Sequence, residues 1–508
     1  MTTPLPPQST IAVIGAGAMG AGIAQVAAVA GHRVQLLDNR IGVAHAAIQN
    51  IRTQITKLAD KGKITPERAA RASANLVAVQ QLSDLAGSSL VIEAIVENLQ
   101  AKQALYAELE GIVGHDCIFG TNTSSISVTA IGAALKHPQR LAGLHFFNPA
   151  PVMALVEIVS GLATDPAVAA TLFATATAWG KTAVYAKSTP GFIVNRVARP
   201  YYGEALRLLT EGAADCATID AVMREAGGFR MGPFELMDMI GHDVNYAVTC
   251  SVWNAFYNDP RFMPSLVQKE LLDAGFLGKK SGRGFFDYRE GASKPAPHTE
   301  AARAVPTGIT LCGDSDAARA LAERLAQASI PFEQSPSVDG RIAQVNGAVL
   351  FVTDGRSATQ RAANIGLANV VLVDLALDYR SATRLALASA AQTGPDAADA
   401  AIGLLQAAGI QVSRLADVPG LAVMRTVAML ANEAADAVNQ GVCSAAAADA
   451  AMRLGVNYPK GPLAWADAIG LPAIHTVLTH LGASYGEDRY RISPLIQRHV
   501  FAGQFFNG

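Results

Sequence analysis

Thr10-Ile-Ala-Val-Ile-Gly15-Ala-Gly17-Ala-Met-Gly20, continued by the small-residue run Ala21 to Ala30 and then by Val34-Gln-Leu-Leu-Asp38, decides the fold of this chain. The first five residues are β-branched or small and apolar, as a buried strand requires, and they end on a glycine turn that opens a helix. Gly31-His-Arg punctuates the chain before a second apolar strand closes on an acid. Strand, turn, helix and strand in that order make a βαβ unit. In that context the glycines have separate tasks: Gly15 permits a tight turn, Gly17 lets the backbone approach a pyrophosphate, and Gly20 lets the helix pack closely on the sheet. The helix N-terminus adds unpaired N–H groups and a favourable dipole. Asp38 is placed to accept from both ribose hydroxyls of NAD and to repel the 2′-phosphate of NADP, so NAD is the expected cofactor.

Outward from this unit, apolar strands at Leu90-Val-Ile92, Cys117-Ile-Phe119, Leu141 to Leu144 and Leu155 to Val159 alternate with helical stretches. They predict a doubly wound α/β, Rossmann-like domain over residues 1–188. Helical patterning follows over 189–292. A Pro, Ala and Gly-rich linker near Ser293 to Gly308 leads to a small degenerate α/β segment over 305–417, whose loops lack pyrophosphate-binding glycine spacing and which reads as structural. The last part, 418–508, repeats the helical domain. Thr189-Pro-Gly-Phe-Ile-Val-Asn-Arg196 aligns with Val418-Pro-Gly-Leu-Ala-Val-Met-Arg425, and Glu204, Gly212, Asp220, Met223-Arg224, Gly232-Pro233, Asp238 and Gly241 fall on their counterparts Glu433, Gly441, Asp449, Met452-Arg453, Gly461-Pro462, Asp467 and Gly470 without a gap. So many matches in one register indicate a duplication.

With 508 residues the chain is long enough for several cores. Half of it is apolar, 16% is charged and the net charge is −2, which opposes both a nucleic-acid footprint and a disordered chain. Five scattered cysteines form neither a disulfide framework nor a metal spacing, so no metal is expected and a reducing, cytoplasmic setting is. No signal-like N-terminus and no membrane-length apolar run is read.

His145 ends one strand and Glu157 lies in the next, with Asn148-Pro-Ala-Pro151 between them. A hairpin centred on Pro151 sets the two residues directly opposite, where the carboxylate would hold one ring nitrogen and leave the other as a base. Such a dyad suits the dehydrogenation of an alcohol.

Val91-Ile-Glu-Ala-Ile-Val-Glu-Asn98, Asn122-Thr-Ser-Ser125, Leu144-His-Phe-Phe-Asn-Pro149, the Thr189 to Arg196 motif, Gly232-Pro-Phe-Glu-Leu236 and Gly278-Lys-Lys-Ser-Gly-Arg-Gly284 occur in the order and spacing of the L-3-hydroxyacyl-CoA dehydrogenases. The first 290 or so residues resemble a complete member of that family, and the C-terminal copy resembles its helical domain again. Long chains of this kind are similar to bacterial 3-hydroxybutyryl-CoA dehydrogenases and to the 3-hydroxyadipyl-CoA enzyme of phenylacetate breakdown.

The resemblance implies oxidation of an L-3-hydroxyacyl-CoA by NAD in fatty-acid or phenylacetate degradation. It implies His145 as general base, Glu157 as its orienting partner, and Ser124 and Asn195 as hydrogen-bonding groups for the reacting oxygen. It places Glu97, Lys102 and Asn122 near the ribose and nicotinamide, Lys280 on the cofactor side, and Lys61 on a helical arm over the CoA. The second copy carries Met424 where the first has Asn195, and no dyad or glycine fingerprint precedes it, so it is expected not to turn over substrate. An intrachain imitation of the pairing that this family's helical domains make between subunits is the role the repeat suggests. Homo-oligomerisation stays open. The competing readings are an NAD dehydrogenase of a free β-hydroxy acid and a non-catalytic NAD-binding protein.

Overall fold

In the computed structural model, which describes residues 3–337 and 339–507, the chain forms two compact units. One holds the residues up to Arg196 together with Gln440–Val456, and the other holds Val197–Asn439 with the residues from Asn457 onward. No helix among the described residues is long and apolar enough to cross a membrane.

The first unit is built on a sheet of eight strands among the described residues: β1 (Thr10–Ile14), β2 (Arg33–Leu37), β3 (Leu76–Ala78), β4 (Leu90–Glu93), β5 (Ile118–Thr121), β6 (Leu141–Phe146), β7 (Leu155–Ser160) and β8 (Thr182–Lys187). Their order is β3-β2-β1-β4-β5-β6-β7-β8. Neighbours run parallel except β6 and β7, which the short 147–154 turn forces to be antiparallel. Helices cover the faces, so the central strands read as unbroken apolar runs, and Ile11, Val13, Leu36, Ile92, Leu144 and Ile158 are fully or almost fully buried. The edge strands β3 and β8 carry weak sequence signals, because Leu76-Val-Ala78 is short and Thr182-Ala-Val-Tyr-Ala-Lys187 lacks both a long apolar run and strict alternation.

A helix of the second copy completes this unit. Ala445–Gly455 packs on β7 and β8, Val442 O accepts from Lys187 N at 2.9 Å, and Gly455 sits against Leu155 and Val194 so tightly that a Cβ there would lie 2.8 Å from the Leu155 side chain.

The second unit contains the remaining helices of both copies and a second sheet. Pro233–Ile240 and His242–Ala255 of the first copy recur as Pro462–Ile469 and Leu471–Tyr485. Detail repeats as well: Asp238 Oδ1 accepts from Phe285 N at 2.9 Å, and its counterpart Asp467 Oδ1 from Phe506 N at 2.9 Å. The long buried helix Val423–Asn439 lies against Arg199–Thr210. Arg425, fully buried, donates to Glu204 at 2.7 Å and to Glu211 at 2.9 Å. The same positions meet with roles exchanged in the first unit, where Arg196 donates to Gln440 Oε1 at 2.9 Å.

The second sheet comprises β9 (Thr310–Cys312), β10 (Glu333–Ser335), β11 (Arg341–Val345), β12 (Ala348–Val352), β13 (Val370–Val373), β14 (Arg384–Ser389) and β15 (Gln411–Arg414), in the order β10-β9-β11-β12-β13-β14-β15. It is the first sheet abbreviated. The direct turn Asn346-Gly347 between β11 and β12 replaces a crossover helix and makes that pair antiparallel. From β13 onward the repeat keeps the offset that relates the helical copies: β14 and β15 begin at the positions matching β7 and β8, and the helix Pro395–Ala407 matches Pro166–Ala178. The duplication therefore reaches further back than the Thr189 motif.

Candidate active site

The glycine turn is held in the form its sequence implies. Gly15 has φ +98°, where a side chain is strained, and a Cβ there would lie 2.4 Å from Ala94 O. A Cβ on Gly20 would lie 1.7 Å from Gly15 O, so the helix Ala18–Ala30 can approach the sheet only with glycine at that place. A Cβ on Gly17, by contrast, would meet nothing within 4 Å. That open face sits at the N-terminus of the helix, where a pyrophosphate would approach. Asp38, at the end of β2, accepts from Ala16 N at 2.8 Å and from Arg40 Nε at 3.0 Å. The Arg40 hydrogen bond, with lesser help from the backbone N–H groups, holds the Asp38 carboxyl down at about 2.

His145, on β6, stands opposite Glu157 on β7, as the register of the antiparallel pair records. Its Nδ1 lies 2.6 Å from Glu157 Oε2, and both side chains are buried. A carboxylate can only accept, so Nδ1 carries the hydrogen and Nε2 is the ring's remaining acceptor. The other carboxylate oxygen, Oε1, accepts from Ile193 N at 3.1 Å and Val194 N at 3.0 Å. These two N–H groups belong to the turn that starts the helical domain, so one buried acid fixes both the imidazole and the entrance of the Asn195 segment. Phe147 and Phe192 pack beside the imidazole, with ring centroids 4.5 and 5.7 Å away.

Asn195 Nδ2 donates to Ser124 O at 3.4 Å, which brings these two sequence-predicted residues together. Ser124 itself is half-buried in the loop after β5. That loop is organised by Glu97, whose Oε1 accepts from Thr123 Oγ1 at 2.7 Å, Ser124 N at 3.0 Å and Ser125 N at 3.1 Å. Burial alone would raise the Glu97 carboxyl; the Thr123 hydroxyl, Lys102 and the loop N–H groups outweigh it and hold it below the ordinary range. Asn122 Oδ1 accepts from Phe146 N at 2.8 Å, tying the same loop to the strand that carries His145.

Lys102 is almost fully buried, with Nζ 2.5 Å from Glu93 Oε1 and 3.2 Å from Glu97 Oε2. Glu93 was not among the sequence-predicted residues. It ends β4, is fully buried and also accepts from Thr121 Oγ1 at 2.8 Å and Ile95 N at 2.8 Å. An acid closing an otherwise apolar strand, nine residues before a lysine in a helix, was the available signal. Lys61 is exposed at the C-terminal end of the arm helix Val43–Asp60. Lys280 lies in the second unit, ion-paired with Asp243.

The position matching His145 in the second sheet is Asp374, and the one matching Glu157 is Ala386; Asp374 N donates to Ala386 O at 2.9 Å, so the strands keep their pairing without the dyad. Asp374 Oδ2 accepts from Ala422 N and Val423 N, and Oδ1 from Met424 N at 3.0 Å. The task of anchoring the helical segment has moved from the second strand of the hairpin to the first. Burial pushes the Asp374 carboxyl up to about 6 against the pull of those N–H groups.

Comparison with known proteins agrees with this geometry. Residues 10–189 match the model of the 3-hydroxyacyl-CoA dehydrogenase NAD binding domain, and residues 191–288 and 420–507 both match the C-terminal domain of the same family. The chain belongs to the 3-hydroxyacyl-CoA dehydrogenase family. Residues 350–419 match the reduced Rossmann-fold domain of 3-hydroxybutyryl-CoA dehydrogenase, in agreement with the abbreviated second sheet. Among relatives of this family member, the 3-hydroxyadipyl-CoA dehydrogenase of Escherichia coli K12 is 46% identical over 97% of each chain. The crystal structure of 3-hydroxybutyryl-CoA dehydrogenase from E. coli K12 covers 97% of this chain and 98% of its own, with 44% identity and a TM-score of 0.89. The mitochondrial hydroxyacyl-coenzyme A dehydrogenase of Sus scrofa, 38% identical, matches 55% of this chain and 91% of its own length. The protein is thus an NAD-dependent oxidoreductase of the 3-hydroxyacyl-CoA dehydrogenase type, with a Rossmann-like N-terminal domain and helical domains behind it.

Proposed function

We propose that the enzyme oxidises a short L-3-hydroxyacyl-CoA at a single site formed around His145. The observation that carries this reading is the buried hydrogen bond of 2.6 Å from His145 Nδ1 to Glu157. His145 Nε2 takes the proton of the 3-hydroxyl, and the Glu157 carboxylate stabilises the imidazolium that results. NAD, when bound, accepts the hydride from C3. Ser124 and Asn195 hold the reacting oxygen, a positioning effect that can lower a barrier by as much as about 7–11 kcal/mol at its best. Gly15, Gly17, Gly20 and Asp38 bind the dinucleotide, with Glu97, Lys102, Asn122 and Lys280 as the further cofactor-binding residues. Lys61 binds the CoA.

The names of the relatives support a CoA thioester of a 3-hydroxybutyryl or 3-hydroxyadipyl acid, in fatty-acid or phenylacetate breakdown. Steady-state rates on the two thioesters separate them: a kcat/KM at least about tenfold higher for one, equivalent to roughly 1.4 kcal/mol, identifies the preferred acyl group. Activity on free 3-hydroxy acids with none on the thioesters would contradict the reading. The five cysteines are free thiols, in keeping with action in the cytoplasm.

The second copy serves as an intrachain partner for the first. The exchanged pairs Arg425 with Glu211 and Arg196 with Gln440 support it, as does the helix Ala445–Gly455 behind the strand of Glu157.

A further inference from the structure

The second unit contains a cavity of about 610 Å³ bounded by the helices Arg199–Thr210 and His242–Ala255, the segment 262–268 and the segment from Tyr485 to Arg489. Its size is that of a small-molecule site. Leu206, Trp253, Phe262 and Leu266 supply apolar wall. The charges around it do not balance locally. Arg261 is engaged by Glu433 and Asp436, and Glu211 by Arg425 and Tyr485. What remains is Arg199, Arg207 and Arg489 against one carboxylate, Glu487, which is 44% exposed.

Two of these arginines are more than nine-tenths buried. Arg199 is 7% exposed, donates through Nη1 to the Thr249 hydroxyl at 3.0 Å and lies over the Tyr202 ring, yet its Nε has no acceptor among the described residues. Arg489 is 3% exposed, and neither its Nε nor its Nη2 makes a hydrogen bond; Nη2 is 3.3 Å from Glu487 Oε2 but outside hydrogen-bonding geometry. A buried guanidinium that leaves hydrogen-bond donors unmade is costly, and at Arg489 the one nearby carboxylate, Glu487, is itself 44% exposed and shared with Arg207. An anionic head group suits this local excess of guanidinium charge, and a carboxylate is the one that also carries an apolar chain.

We propose that this cavity binds a carboxylate with a short apolar chain: the head on Arg199 and Arg489, the chain along Leu206, Trp253 and Leu266. The apolar wall of Leu206, Trp253, Phe262 and Leu266 favours an anion that carries an apolar chain over an inorganic one. The two sources of such a group are a free acid and the terminal carboxylate of an acyl thioester. The proposal is independent of the chemistry assigned to His145.

Isothermal titration of the full-length protein with octanoate, octan-1-ol and adipyl-CoA tests it. Octanoate is expected to bind at one site per chain and octan-1-ol not to bind. Arg199→Gln should weaken octanoate at least tenfold, and so should Leu266→Glu, which places a like charge on the wall at a position 83% exposed and so spares the fold. Adipyl-CoA weakened by the same two substitutions identifies the thioester as a source; adipyl-CoA unaffected, with octanoate weakened, identifies the free acid. No octanoate binding at millimolar concentration, or binding unchanged in Leu266→Glu, overturns the proposal. Thermal melting of each variant without ligand, within a few degrees of the parent, shows that the loss is local.

Discussion

Glu157 Oε2 lies 2.6 Å from His145 Nδ1, while Oε1 of the same carboxylate receives the N–H groups of Ile193 and Val194. Replacing Glu157 by Gln should separate the two tasks. The amide oxygen can still accept from the backbone, but the amide nitrogen then faces Nδ1 and drives the ring into the tautomer whose Nε2 carries hydrogen. Turnover should fall by about 10²–10⁴ with little change in the KM for NAD. A kcat within threefold of the parent in steady-state assays would show that the ring needs no such partner.

Asp38 and Arg40 bear on cofactor choice. Arg40 is paired with Asp38, which keeps its charge from a bound ribose and depresses the carboxyl to about 2. Since the folded value lies below the unfolded one, the stabilisation from this pair is present above about pH 4 and lost as pH falls toward 2. Asp38 therefore stays ionised across the working range, and its titration contributes no change in the KM for NAD between pH 5 and pH 9. Asp38→Ser removes the ribose acceptor and releases Arg40. NAD should bind about 10–100-fold more weakly, the equivalent of a charged hydrogen bond, while kcat/KM with NADP rises. Comparing the two cofactors on the variant checks both effects; an unchanged preference for NAD would contradict the assignment.

The sequence showed a great deal of this site because its geometry is local. The β6–β7 hairpin has a turn short enough for its midpoint, Pro151, to give the register, and the observed pairing sets His145 against Glu157. The glycine fingerprint likewise depends on neighbouring residues. What stayed hidden depends on distant partners. Nothing near Glu157 shows that it also receives Ile193 and Val194, 36 and 37 residues further along the chain. The middle segment concealed its kinship because the chemistry had gone: Asp374 and Ala386 are seen to occupy the dyad's positions only once the offset of the helical repeat is carried back through Pro395 and Pro166.

The proposed intrachain pairing of the helical copies is tested at Arg425. It is fully buried, and Glu204 beside it is almost so. Arg425→Met should leave the Glu204 carboxylate buried without its cation and lower the unfolding free energy by about 3–5 kcal/mol in denaturant titration. The double variant Arg425→Met, Glu204→Leu should recover most of that loss, because an apolar pair can replace a buried ion pair. A single variant as stable as the parent would show that the contact carries little.

The most direct test is the rate of NADH formation with 3-hydroxybutyryl-CoA and 3-hydroxyadipyl-CoA by the parent enzyme and by His145→Gln, with NAD binding followed by titration. The expected result is turnover by the parent on at least one thioester, one NAD bound per chain, and a loss of about 10³-fold or more in kcat for the variant with NAD affinity unchanged. Near-normal turnover by His145→Gln would contradict a single site built on His145.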